Sequence, residues 1–464
     1  IGLSPTKTPY FMPENPVRSG KKWESFKNSC FPQEEGMEVK LPVGTYLVSA
    51  SRGPEYSMDN HAVEILKNER QELIFKLDRV VKTPNLIAVD PHLHTNKSDG
   101  RVSIPERIKS VVAEGVEVAV ATDHNYIADY SPALKKLGLN KYLAVIPGNE
   151  VSTAGVIHYN TYPLKYRPEE ENNGAICPVA EEASQLFNRS REKDPEAILQ
   201  VNHPRYESRS DIGYFDNNQL DPESAAFALE QLDMSFDLLE ILNEPYLYPT
   251  NSVAIQDWLN LLNRGYYFPL MASSDAHEID RQEPGYSRTY VIYEGEGGDS
   301  LDWEAVALSL KKGRSFGSTG PVVDFRVNDK YTSGDSFTSS NGKAEIWIRV
   351  QSAPWVAVDE VRLIVNGERK FTFPVKTAQD EIQKFKEKLI LNLKKDSYII
   401  VEVFSKRSLY PVLQHYSKSG LLKDAIVPYA ITNPVFIDVD GNGRFDPPQP
   451  EKIKLLSDIP DKKN

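Results

Sequence analysis

Short apolar runs alternate with helical patterns from Leu86 to Gly320, and most of the runs are followed within a few residues by a histidine or a carboxylate. The runs are LIAVD at 86–90, VAVAT at 118–122, LAVIPG at 143–148, VIHYNTY at 156–162, AILQV at 197–201, LLEIL at 238–242, PLMAS at 269–273 and TYVIY at 289–293. Between them the spacing predicts helices over 104–114, 131–137, 179–191, 222–232, 252–264 and 302–312. Strands separated by helices restrict the chain to a largely parallel sheet, open or closed as a barrel. Such sheets build their sites at the C-terminal ends of the strands.

Those ends carry an ordered series: HLHTNKSDG from His92, TDHN from Thr122, GNE from Gly148, HYN from His158, NHPR from Asn202 and SSDAH from Ser273. Six of the chain's eight histidines fall inside it. His92 and His94 lie two apart, so both rings face one side of an extended segment; Asp275 and His277 share that spacing. Asp99 follows on the loop after His94. Singly, each motif has a plain alternative: a solvent-facing pair for His92 and His94, a bonded core histidine for His124, a surface charge for Glu150. His158 interrupts an apolar alternation and needs a buried partner, and Pro204 fixes the loop that carries His203. Six unrelated accidents on the strand ends of one repeating unit are a poorer account than a shared metal centre. Imidazole and carboxylate without thiolate suit zinc, manganese or iron, and such ions generate a nucleophile from water near neutral pH. The chain has no GxSxG elbow for covalent serine chemistry.

A chain of 464 residues predicts two or three domains. Before the alternating region, runs such as MEVKLPVGTYLVSAS and HAVEILKN, with Leu73, Phe75 and Leu77 alternating, predict a small β-sandwich over 1–85 behind a Pro-rich entry. After Gly320, EIWIRVQ, VRLIVNG, KLILNL and SYIIVEVFS predict a second β-sandwich over 321–464. There, DVDGNGRFD resembles the start of a calcium loop, with Asp438, Asp440, Asn442, Arg444 and Asp446 at alternate positions and Gly443 at the turn. Gln449 stands where such a loop has Glu, and a plain Asp/Gly turn is the alternative.

The net charge of -12, with no basic block, argues against a surface that tracks a nucleic-acid backbone. No apolar run reaches the length of a membrane span. Cys30 and Cys177 are too few for a disulfide framework, and sequence does not say whether they pair. Ile1 opens the chain, consistent with a removed signal peptide or a truncated start. With the β-rich flanks and the calcium-like loop, it favours an exported protein over a cytoplasmic one.

The ordered set HxH…SDG, TDHN, GxE, HxN, NHP and DAH resembles the polymerase and histidinol phosphatase (PHP) family of metallohydrolases over residues 86–320. The flanking LPVGTYLVSASRGPEY and KKGRSFGSTGP are similar to its carbaryl-hydrolase-like branch. The resemblance implies an α/β fold, a distorted (β/α)7 barrel flanked here by the two β-sandwiches, holding two or three divalent metals whose bridging hydroxide attacks an ester. Carried onto this chain, it implies one metal at His92, His94, Glu150 and Asp275, a second at Asp99, His124 and His277, and a third sharing Glu150 with His158 and His203.

Beyond the ligands, Arg205 and Arg288 are candidates to grip an anionic substrate at the mouth through a planar fork, with a structural salt bridge as the alternative. Lys97 is a further anion-binding candidate, and Asp123 a candidate for orienting a ligand imidazole. The expected activity is a phosphoesterase on a small anionic ester. Hydrolysis of a carbamate, carboxylic ester or amide is the competing enzyme reading, and a secreted binding protein with structural metals is the third. A phosphoesterase predicts Arg205, Arg288 or Lys97 facing the metals; a neutral-ester pocket predicts lining by Tyr126, Tyr159 or Tyr246.

Overall fold

The computed structural model describes residues 2–5, 31, 38–153, 155–206, 212–221, 223, 232–279, 282–378, 380–413, 415–417, 420–422 and 426–449. Cys30 and most of the helix expected at 222–232 lie outside these residues. Among them no helix is long and apolar enough to cross a membrane.

The N-terminal segment forms one antiparallel sheet in the order β1 (Gly2–Pro5), β2 (Gly44–Ala50), β3 (Asp59–Ile65). Tyr46, Val48 and Val63 make its small core, covered by the half-buried Leu73 and Phe75. The alternation expected at Leu73, Phe75 and Leu77 appears in their burial, but the segment is not a strand. The Lys76 N–H donates to Asp59 Oδ2 and the Asp78 N–H to Ser57 Oγ, so side-chain oxygens take donors that a ladder would use.

The central region is mixed α/β. β4 (Leu86–Asp90), β5 (Val118–Ala121) and β6 (Ala144–Pro147) run parallel, connected by α1 (Ile104–Ala113) and α2 (Ser131–Leu137). A capping box of Ser103 and Glu106 starts α1, and Ile108 and Val111 on its inner face pack with Leu93 and Ala119. At Gly148 the chain leaves this sheet for a second one, where a Cβ would stand 2.9 Å from Val120 Cγ1. The second sheet contains β7 (Asn149–Ser152), β8 (His158–Tyr162), β9 (Ile198–Val201), β10 (Leu238–Asn243) and β11 (Leu270–Ser273), each paired with the next. β9, β10 and β11 are parallel, whereas β8 is antiparallel to both of its neighbours. Its helices are α3 (Ala183–Lys193), the single turn α4 (Tyr214–Asn217) and α5 (Ser252–Asn263). β12 (Arg288–Ile292) then returns antiparallel to β4, and α6 (Trp303–Lys311) leads to β13 (Ser315–Ser318). Among the described residues these strands therefore lie in two sheets and do not close into one hydrogen-bonded barrel. The sheets meet in isolated parallel bridges, Leu93 with Ala276 and His124 with Glu150, at the ends that carry the histidine motifs.

The C-terminal segment contributes β14 (Val322–Val327), β15 (Ser336–Thr338), β16 (Lys343–Gln351), β17 (Glu360–Val365), β18 (Glu368–Pro374), β19 (Gln383–Asn392), β20 (Ser397–Phe404), the hairpin of β21 (His415–Ser417) and β22 (Gly420–Leu422), β23 (Tyr429–Thr432) and β24 (Val435–Asp438). β14, β16 and β19 form a separate antiparallel sheet. Its Val323, Ile346 and Ile348 pack against Val361, Leu363, Val401 and Val403. β23 pairs with β13, so the C-terminal strands extend the sheet that holds β4. α5 is buried almost throughout. Trp258, Leu259 and Leu262 share a core with Tyr398, Ile400, Ile431 and Phe436, and Tyr398 donates to Asn263 Oδ1 at 3.0 Å.

Candidate metal centre

The parallel strands bring their C-terminal ends to one place. His92 and His94 follow β4, His124 follows β5, His203 follows β9, and Asp275 and His277 follow β11. Glu150 lies within β7. His158 opens β8, but that strand is antiparallel, so its first residue meets the same edge; the Asn202 N–H donates to the His158 carbonyl. Asp99 sits on the loop between β4 and α1.

The side chains converge on two carboxylates, the buried Glu150 and the half-buried Asp275. Glu150 Oε2 lies 3.3 Å from Nε2 of both His92 and His94 and 2.9 Å from Nδ1 of His124. Its Oε1 faces His158 Nδ1 at 3.2 Å and His203 Nε2 at 3.4 Å. Asp275 Oδ1 lies 3.2 Å from His92 Nε2 and 3.0 Å from His94 Nε2. Asp99 Oδ1 faces His277 Nε2 at 3.2 Å and His124 Nε2 at 3.6 Å. Three groups could each hold an ion: His92, His94 and Glu150; His94, Asp99, His124 and His277; and His124, Glu150 and His158. His94 and His124 each enter two groups, a sharing that the expected partition did not include.

A metal fits this arrangement on the chemistry of its atoms. His92 Nε2, His94 Nε2, Glu150 Oε2 and Asp275 Oδ1 are buried and make no hydrogen bond among the described residues, and each imidazole nitrogen faces each carboxylate oxygen at 3.0–3.3 Å. Buried polar atoms without partners are costly. Four ligands set tetrahedrally about 2.0 Å from one ion would be roughly 3.3 Å apart.

The protonation pattern is that of a charged, desolvated cluster. Burial alone would raise the Glu150 carboxyl, but His124 and His92 hold it well below the ordinary range. Asp275 is likewise held down against burial by His92 and His94. Burial opposes a charge on His124, yet Glu150 and Asp99 keep its pKa at about 11. His94 is pulled to about 3 by burial and by His277.

Several supporting residues were not singled out from sequence. Arg107, fully buried on α1, donates to the carbonyls of His94 at 3.0 Å and Ala276 at 2.7 Å, joining the two ligand loops. Asp90 accepts from the Ser274 N–H and hydroxyl and from the Gly285 N–H. Asn202 donates to Glu150 Oε1 and Asn160 Oδ1, and Ser152 Oγ lies 2.6 Å from His124 Nδ1. Glu240 contacts His92 and the backbone of His203. The legible signals were a charge at a core-facing helical position for Arg107 and a carboxylate inside the apolar run LLEIL for Glu240.

The other candidates occupy different places from those expected. The Arg205 guanidinium forks onto Asp257 at 2.6 and 2.9 Å, and also reaches Asp216 and the Leu220 carbonyl. Arg288 is fully buried against the carbonyls of Gly285 and Glu114, with Glu55 at 3.5 Å. Both guanidinium groups are thus held by partners within the fold. Asp123 accepts from the Thr95 N–H at 2.7 Å and from the hydroxyls of Thr95 and Ser98. It orients the loop that carries Asp99 rather than an imidazole ring. Lys97 is exposed, its ammonium 6.0 Å from the half-buried Tyr126 ring. Tyr159 is buried and bonded to the Leu186 carbonyl, and Tyr246 packs beside Val356 and Leu409. Tyr206, exposed, lies against the His203 ring at 5.3 Å between centroids. Cys177 is unpaired among the described residues and accepts from Asn172 Nδ2.

In the calcium-like segment, Asp438 accepts from the N–H groups of Gly441 and Gly443 and from Thr338 Oγ1. Asn442 donates to Asp440 and Asp446, and Arg444 pairs with Asp446 at 3.1 Å. Carboxylates of Asp440 and Asp446 gather instead with Asp396, which sequence had not included.

Comparison with protein-family models and with curated proteins gives no match. Among solved structures, a two-domain protein containing a predicted PHP-like metal-dependent phosphoesterase from Bacteroides vulgatus is 15% identical, covering 75% of this chain and 95% of its own, with a TM-score of 0.38. A candidate metal-dependent phosphoesterase from Bifidobacterium adolescentis is 12% identical over 48% of this chain and 95% of its own, with a TM-score of 0.30. At this level of similarity neither neighbour transfers a function or a residue role.

Proposed function

We propose that the chain is a metal-dependent hydrolase of the PHP type, acting on phosphoesters. In this reading the two central sheets are an opened form of the (β/α)7 barrel, and residues 1–85 and 321–464 are accessory β-modules. The observation that carries it is the set of four partnerless buried atoms on His92, His94, Glu150 and Asp275. Clustered ions sharing ligands also argue against a closed structural site with four ligands of its own.

His92, His94, Glu150 and Asp275 would hold one metal, with Asp99, His124, His277, His158 and His203 holding its neighbours. When bound, divalent ions acidify water to a pKa of about 7 and polarise an ester oxygen. The chain's own contribution is orientation: Arg107 ties the loops of His94 and Ala276, and Asp123 holds the loop of Asp99. Lys97, exposed on that same loop, is placed to bind an anionic group of the substrate.

A second reading, hydrolysis of an aryl carbamate or ester, is favoured by two aromatic rings beside the ligand loops. Tyr126 lies beside Lys97 and Tyr206 against His203. The test is turnover of phosphate mono- and diesters beside aryl carbamates and esters by protein loaded with zinc, manganese or iron, with His92→Ala as control. Phosphoester cleavage lost in the variant supports the first reading. Cleavage confined to carbamates or esters moves the assignment to the second.

A further inference from the structure

We infer that Glu240 is the positioning residue of this centre: one carboxylate that sets the ring of His92 and the backbone of His203, and through Asn243 tethers Asp275. β10 lies between β9 and β11, so side chains at its end reach the ligand turns on both sides. Glu240 is fully buried. Its Oε1 takes His92 Nδ1 at 2.9 Å and the Ser273 hydroxyl; its Oε2 takes the His203 N–H at 2.6 Å and Asn243 Nδ2 at 3.1 Å. The same Asn243 Nδ2 lies 3.1 Å from Asp275 Oδ2.

Two consequences follow from the donor inventory. A carboxylate without its proton is a pure acceptor with about four lone-pair directions, and here four donors occupy them. Nδ1 of His92 is therefore the protonated nitrogen, and Nε2 is left to face Glu150 and Asp275 as a ligand. A glutamine of the same shape does not reproduce it, because either orientation of its amide turns an NH2 group against a fixed donor, the His203 N–H on one side or the protonated His92 Nδ1 on the other.

The backbone explains why the site needs such a brace. His203 has φ +25° and Asp275 φ +48°, left-handed conformations that residues with a Cβ rarely adopt. These two ligands leave the strands on either side of β10, and each strained turn persists only where its surroundings over-determine it. Glu240 binds the N–H of one, and Asn243 the carboxylate of the other.

The inference rests on the metal reading, and the experiment separates the two. Zinc binding would be titrated for the wild type, Glu240→Gln and Ser273→Ala, with zinc per chain measured by elemental analysis and the fold of the metal-free forms followed by circular dichroism. Zinc-loaded wild type labelled with 15N-histidine would report the His92 nitrogens. Wild type should bind zinc with His92 coordinated through Nε2 and protonated on Nδ1. Glu240→Gln should lose about 10–100-fold in zinc affinity, whereas Ser273→Ala, which removes one donor and no ligand contact, should lose less than about 3-fold. Wild-type affinity in a folded Glu240→Gln, or His92 coordinated through Nδ1 in the wild type, overturns the role of Glu240. Wild type that takes up no zinc, manganese or iron overturns the metal reading itself. If Glu240→Gln does not fold, the wild-type nitrogen assignment still decides the point.

Discussion

Nε2 of His94 lies 3.0 Å from Oδ1 of Asp275, and neither buried atom makes a hydrogen bond. His94 also belongs to the group of Asp99, His124 and His277, so it links two candidate ion sites. His94→Ala is expected to remove more than one equivalent of metal per chain and to lower turnover by more than the ~10–100-fold typical of losing an outer-shell partner. Elemental analysis beside kinetics checks this; a variant retaining full metal content would exclude the shared role.

Metal uptake should be coupled to proton release. In the metal-free protein Glu150 and Asp99, against the effect of burial, hold His124 up at about 11. A folded-state value raised above the unfolded one means that this group's stabilisation is complete below about 6.5 and is lost as pH rises through about 11. A protonated imidazole cannot ligate, so metal affinity should rise with pH across that window. Addition of zinc to weakly buffered protein at pH 8 should acidify the solution; no change in pH would count against His124 as a ligand.

Chelation should lower the melting temperature without unfolding the chain. The hydrophobic clusters around Trp258 and around Val401 contain none of the ligand residues. At a metal concentration 1,000 times Kd the loaded form gains about 4 kcal/mol. A chain that unfolds outright on chelation would point to structural metals and favour the binding-protein alternative.

Arg205 is expected to act on stability rather than on substrate. Arg205→Ala leaves Asp257 buried without its fork, a loss of about 3–5 kcal/mol. Combining Arg205→Met with Asp257→Leu should recover much of it, because a buried pair is often replaceable by apolar side chains. Urea denaturation measures both; a stable Arg205→Ala with a raised KM would restore the anion-gripping role.

Lys97→Ala should raise KM for an anionic ester by about 10-fold, in line with roughly 1.5 kcal/mol for a hydrogen bond to a charged group. It should leave a neutral aryl ester unaffected. Equal effects on both substrates would remove Lys97 from substrate binding.

Residues 86–320 expressed alone are expected not to fold. Tyr398, Ile400, Ile431 and Phe436 cover Trp258 and Leu259, and β23 pairs with β13. Cooperative melting of that fragment would show that the C-terminal strands are dispensable.

Sequence alone determined local features: most strands of 86–320, the helices near 104–113, 131–137, 252–263 and 303–311, and the nine ligand candidates from His92 to His277. Period and motif are properties of neighbouring residues, and a histidine at the end of an apolar run is visible in one dimension. Three matters were decided only by the tertiary structure. Strand pairing placed β8 antiparallel, left the sheets unclosed and carried β13 into the C-terminal strands, because ladders join residues far apart in the chain. Burial assigned Arg205 and Arg288 to carboxylates and carbonyls, since a guanidinium removed from water must satisfy its donors wherever the fold supplies acceptors. Glu240 has four donors drawn from separate strand ends, and only folding brings them to one carboxylate.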